Sequence, residues 1–356
     1  MQYTTALILI TVIGYTTVVA NESQVERHQE TFSSLHSQTE ANPVLHVAKG
    51  LNEDGTLVKY YRRGLDYAIN YFGNYGPYHV YLLGPEDKKS ILNIYRERAK
   101  SRINPNSTIS PDQQIKEYLR RPNVINEIQA VLEGKAEGGL TWSKPPRRVY
   151  EDVTTNSNGR QNDPVENTWG ALHEYHHVFQ IAHCDSYADR DSDRNLSSWM
   201  SEGMATYSSA VFMERLGLID FKKYMLDLRD NGSNIGRPGI NEFIAAKDDW
   251  RQDDEIYWES GEAPQVYYML GAWATAYLIH ENGIEETTVL KDWYFDVPRI
   301  GKAAAFKKHM KIPLDEFLVI FGKWYVGVFF VKTIIFWANI FFVVPFQAFP
   351  QLNIRY

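Results

Sequence analysis

The stretch DPVENTWGALHEYHHVFQ, residues 163–180, decides how this chain is read. Asp163 has the character of a helix N-cap. Pro164 suits the first helical position, where its missing N–H costs nothing, and Glu166 sits at the third. Val165, Trp169, Leu172, His176 and Phe179 then recur at helical spacing and predict a buried stripe. Within that helix His173, Glu174 and His177 form an H-E-x-x-H cluster. Residues four apart differ by only about 40° around a helix and about 6 Å along it, so both imidazoles can grip one ion. Glu174 points furthest from the apolar stripe and stands beside the ion rather than on it. Two neutral imidazoles, an open coordination position and a nearby carboxylate suit hydrolysis by zinc-activated water, with Glu174 as general base. His176 falls about 60° from His173, in the middle of the stripe, and is read as a core histidine.

Composition bounds the rest. The 356 residues carry a net charge of −7 with no basic stripe, which argues against a nucleic-acid partner. Residues 1–20 hold an apolar run followed by Val18-Val-Ala20 and read as a signal peptide, although Lys and Arg are absent before the run. N-x-S/T sequons at Asn21, Asn106, Asn195 and Asn231 fit a secreted or extracellular glycoprotein. Cys184 is the single cysteine, so no intrachain disulfide can form, and a buried thiol is expected. Residues 21–59 read as a flexible lead or short pro-segment. Residues 326–356 lack Asp and Glu and are rich in Phe, Ile and Val, interrupted by Lys332, Asn339, Pro345 and Gln347. They are long enough to reach across a membrane but impure. A C-terminal membrane anchor and a non-native end stay open as alternatives.

Between these ends, residues 60–325 predict one α+β, mainly helical domain: a small sheet with the metal helix, then a helical C-terminal half. Helices are expected over 60–72, 88–100, 113–133, 199–216, 220–228, 265–281, 284–296 and 313–324, and strands over 78–83 and 147–153.

Two residues compete to be the third ligand. His183 lies six positions after His177, as in the metzincin pattern H-x-x-G-x-x-H, but Gln180 occupies the glycine position. On a continuing helix His183 would lie about 240° from His177, so it reaches the ion only if the chain turns at Gln180. The other candidate is Glu202, 25 residues after His177 in WMSEGMATY, residues 199–207. Gly203 and Ala205 would let its helix pack closely against the metal helix. Asp185, Asp189, Asp191 and Asp193 lie between the two motifs, and Asp189-Arg-Asp-Ser-Asp193 alternates like a calcium loop. Arg194 and Met200 stand where the turn glycine and the last Glu belong, which favours a solvated acidic loop over a Ca2+ site.

The H-E-Y-x-H of residues 173–177 followed by W-x-x-E-G-x-A-x-Y resembles the gluzincin zinc metallopeptidases, including bacterial collagenases and aminopeptidase-N-like enzymes. Tyr268-Met-Leu-Gly-Ala272 is similar to the Y-x-K-G-A segment of the latter group, with Leu270 in place of the lysine. The resemblance implies a zincin-like fold, one zinc held by His173, His177 and Glu202, Glu174 as base, and Tyr268 as hydrogen-bond donor to the oxyanion. No G-x-M-E-N motif precedes the metal helix; Gly139-Leu-Thr-Trp142 lies there without its Glu. Without that carboxylate a substrate α-amino group has no evident anchor, so the resemblance points to an endopeptidase acting on peptide or protein substrates. The alternatives are a catalytically silent zincin-fold binding or adhesion module, and a metzincin-like peptidase using His183.

Overall fold

A computed structural model describes residues 39, 42–47, 55–83, 85–104, 106–133, 138–142, 150–155, 163–184, 196–231 and 263–325. The segments read as a signal peptide, as an acidic loop at 185–193 and as a 326–356 tail lie outside them. No helix among the described residues is long and apolar enough to cross a membrane. The architecture is α+β and mainly helical. In chain order it contains β1 (Val44–Val47), α1 (Thr56–Phe72), β2 (Tyr78–Leu83), α2 (Ile91–Ser101), α3 (Pro111–Leu119) and α4 (Pro122–Glu133). There follow β3 (Gly138–Trp142), β4 (Tyr150–Thr155), α5 (Pro164–His183), α6 (Ser198–Arg215), α7 (Phe221–Asn231) and α8 (Ala263–Ala276). The last helices are α9 (Glu286–Leu290), α10 (Val297–Ile300), α11 (Lys302–Met310) and α12 over 314–325.

The chain divides into two compact units. One takes residues up to Asn195 with Ser208–Phe221 and Tyr294–Gly301; the other takes Leu196–Tyr207, Lys222–Trp293 and residues from Lys302 onward. Helix α6 runs unbroken from one into the other.

In the first unit the sheet order is β1-β2-β4-β3, with β1, β2 and β4 parallel and β3 antiparallel to β4. Helix α5 packs along α1 and beside β3. A Cβ on Gly64 of α1 would come within 2.8 Å of the Thr168 carbonyl, so the two helices approach at the glycine. The buried Tyr175 hydroxyl donates to the Gly73 carbonyl at 2.8 Å and accepts from the Tyr75 amide at 2.9 Å, closing the end of α1 against α5. Helices α2 to α4 enclose a separate core of Ile91, Tyr95, Ala99, Tyr118, Val124 and Val131. There the buried Arg98 and the Tyr95 hydroxyl both donate to Glu127, at 3.1 and 2.7 Å. Tyr95 holds its proton far above the usual phenol range, because burial and the Glu127 charge disfavour the phenolate.

Two sequence expectations are corrected here. The single helix over 113–133 is two, because Pro122 has no N–H for the carbonyl four residues back and so starts a new helix. The helix over 284–296 is a short α-helix followed by a 3-10 turn at Asp292–Phe295. Strand β1 and the start of α1 lie inside the 21–59 segment, and Val44–Val47 of β1 pair in parallel with β2.

In the second unit α6 and α8 meet backbone to backbone. A Cβ on Gly203 would lie 2.3 Å from the Gly271 backbone, and one on Gly271 would lie 2.3 Å from the Trp199 carbonyl. The expectation that Gly203 serves packing against the metal helix is thus corrected: its close partner is α8. Helix α12 covers α8 and the residue that follows it with aromatic rings, Trp324 packing on Trp273 of α8 and Phe321 and Trp324 on Tyr277. Gly271→Ala should cost about 3 kcal/mol or more through overpacking, well beyond the gain of about 1 kcal/mol in helix propensity. Guanidinium unfolding measures it, and an unchanged midpoint would contradict the crossing.

Candidate metal centre

Helix α5 begins as its sequence dictates. Asp163 accepts from the amides of Val165 at 2.8 Å and Glu166 at 3.3 Å, with Pro164 at the first helical position. Between Asn167 and Ala182 every residue is buried except Trp169, Gly170, Glu174 and His177. Those four fall within about 140° of arc, and His173 lies inside the same arc. The helix therefore opens on one stripe, and that stripe carries the H-E-x-x-H residues. Trp169, expected in the buried stripe, belongs instead to this open face, where its ring stacks on His173 at 4.4 Å and 21°.

The His173 and His177 rings stand perpendicular, with their Nε2 atoms 3.0 Å apart. Around a tetrahedral zinc, ligand atoms about 2.0–2.1 Å from the ion lie about 3.3 Å from each other. The imidazole spacing is close to that value. One carboxylate oxygen of Glu202 joins them: the three ligand atoms all lie within 4.8 Å of one another. Two imidazoles and a carboxylate are a donor set suited to zinc with a coordination position left open. Glu202 sits in the first turns of α6. Six residues further along that helix the Ser208 hydroxyl is 2.6 Å from Nδ1 of His176, so α6 is keyed to α5 by a buried hydrogen bond.

His176 is fully buried against Phe72, as expected of a core histidine. Its pKa lies well below the ordinary imidazole value, first because burial penalises the cation and then because His177 and His173 stand nearby. Cys184 is buried just past the helix, as expected, with its amide on the Gln180 carbonyl at 2.8 Å.

His183 does not join the centre. Helix α5 continues through Gln180 to His183, so the turn that the metzincin reading requires is absent and that alternative is corrected. The His183 Nε2 pairs instead with the Tyr75 hydroxyl at 2.8 Å, and its ring packs on Phe179 and Phe295. Gln180 has its own role: its Oε1 lies 2.8 Å from Nδ1 of His177, and its Nε2 donates to the Tyr294 hydroxyl at 3.0 Å. Spacing alone did not mark this contact, since Tyr294 comes from 114 residues away.

Tyr268 is half-buried on α8, one turn before the Gly203 and Gly271 crossing and therefore near the residue that follows Glu202 in sequence. Tyr207, the last residue of the second motif, places its hydroxyl 3.0 Å from Nε2 of His280 in the π-helical turn Tyr277–Glu281. Asn106, the first residue of one N-x-S/T triplet, is exposed. Compared with protein-family models, curated proteins and solved structures, the chain matches none.

Because His176 is neutral when folded and titrates near 6.5 when unfolded, the unfolded state binds more protons below that pH. The stability this group contributes is full above about pH 6.5 and is lost as pH falls toward its folded pKa. His176→Gln keeps a partner for Ser208 without a titratable ring. Thermal unfolding from pH 7.5 to 5 should show a shallower acid loss in the variant; equal slopes would contradict the assignment.

Proposed function

We propose that the chain is a zinc metallopeptidase cleaving peptide bonds within proteins or peptides, secreted or held at the cell surface. The observation that carries the reading is the convergence of His173, His177 and Glu202 while Glu174 remains on the one open stripe of α5. Zinc held there would supply Lewis acidity and lower the pKa of water toward neutrality. Glu174, on the turn between the two imidazoles, takes the proton of the attacking water and returns it to the leaving amine. Tyr268 donates a hydrogen bond to the oxyanion that develops on the scissile carbonyl. Glu174 also separates a peptidase from a silent binding module, because a scaffold needs no base at that position. The gluzincin-like order of the two motifs supports the same ligand set.

Glu174→Gln should keep one zinc per chain and lose most cleavage of casein or gelatin, since the side chain moves protons and holds no metal. Zinc lost together with activity would make Glu174 structural, and full activity would sink the mechanism. Glu202→Gln should weaken zinc affinity by about tenfold or more, because a neutral amide replaces an anionic ligand. His183→Ala should leave it nearly unchanged. Reversed effects on zinc affinity in chelator competition would overturn the ligand assignment.

A further inference from the structure

We infer that Gln180 is the positioning residue of the metal centre, and that it sets which nitrogen of His177 is offered to zinc. The inference rests on the zinc reading above. Gln180 is a polar side chain at only 2 % exposure, and a buried amide without partners would cost free energy. Both ends of the amide are engaged: Oε1 lies 2.8 Å from Nδ1 of His177, and Nε2 donates to the Tyr294 hydroxyl at 3.0 Å. Tyr294 is itself fully buried and packs on Phe179, so the phenol is fixed. With the phenol accepting from the amide nitrogen, the amide oxygen faces the imidazole.

An amide oxygen accepts and cannot donate, so the contact requires the proton of His177 on Nδ1. The lone pair is then on Nε2, the atom 3.0 Å from Nε2 of His173. A metal-bound histidine commonly has its other nitrogen held by a carboxylate or a carbonyl, which fixes tautomer and ring orientation and raises basicity. Here a side-chain amide fills that place from one helical turn away. The same contact accounts for Gln180 at a position where a glycine turn would otherwise bring His183 inward: the chain stays helical, and residue 180 serves His177 instead.

Gln180→Met fills nearly the same space without a strong acceptor, and Gln180→Glu restores the acceptor. Zinc affinity, read by competition with a chromophoric chelator, should fall about 10–100-fold in Gln180→Met and stay near wild type in Gln180→Glu. Circular dichroism and thermal midpoints establish that both variants fold. If Gln180→Met does not fold, Tyr294→Phe removes the anchor while keeping the amide, and its zinc affinity should also fall. A second readout needs no metal. In the zinc-free chain, long-range 15N–1H NMR of labelled histidines should show His177 protonated at Nδ1, and that preference should be lost in Gln180→Met. Wild-type affinity in the variant that folds, or an equal loss in Gln180→Met and Gln180→Glu, would overturn the inference. An unchanged tautomer would do the same. A wild-type chain that binds no zinc would instead overturn the functional reading, and the tautomer comparison would still decide the role of Gln180.

Discussion

Burial on all sides but one is the constraint that α5 places on everything around it. A helix enclosed this way cannot present polar side chains at random, because each buried polar atom requires a partner. Several of its polar residues are provided for in different ways. Asp163 caps the backbone, Tyr175 bridges Gly73 and Tyr75, His176 meets Ser208, and Gln180 links His177 to Tyr294. His173, Glu174 and His177 remain on the stripe that opens outward. The open face is thus set by exclusion, and the H-E-x-x-H residues are collected there.

A metal site of the proposed kind would need each ligand-bearing helix to be fixed by something other than the ion. Helix α1 approaches α5 at Gly64, and the buried His176 contact keys α6 to α5. In the second unit, α8 lies against α6 at the residue immediately after Glu202, with no side chain between the backbones. These contacts are short, directional or steric, and tolerate little sliding. They are the conditions under which a metal site is preorganised by its scaffold.

How much of this was legible in the sequence depended on whether a signal was local. The α5 cap, the H-E-x-x-H pair and the β2 limits are written in neighbouring residues, and the structure places the cap and the strand as read. Glu202 was visible only as part of a second motif. The break before Pro122 was also local but was overridden by the apolar periodicity on both sides of it. What stayed hidden came from distant partners. Trp169 looked like a core residue because periodicity cannot tell a ring that faces the interior from one that lies on a histidine. Gly203 announced a close approach without saying which helix made it. Gln180 gave no sign of its contact with His177, because the meaning of that amide depends on Tyr294 far along the chain.

The central claim is that His173, His177 and Glu202 hold one zinc and leave a position open. The most direct measurement is zinc content of the purified chain combined with X-ray absorption at the zinc edge. The account predicts one zinc per chain, with two imidazole nitrogens at about 2.0–2.1 Å, and oxygen ligands at about 2.0–2.2 Å completing a tetrahedral shell. A chain that retains no zinc, or a shell with three imidazoles or with sulfur from Cys184, would contradict it.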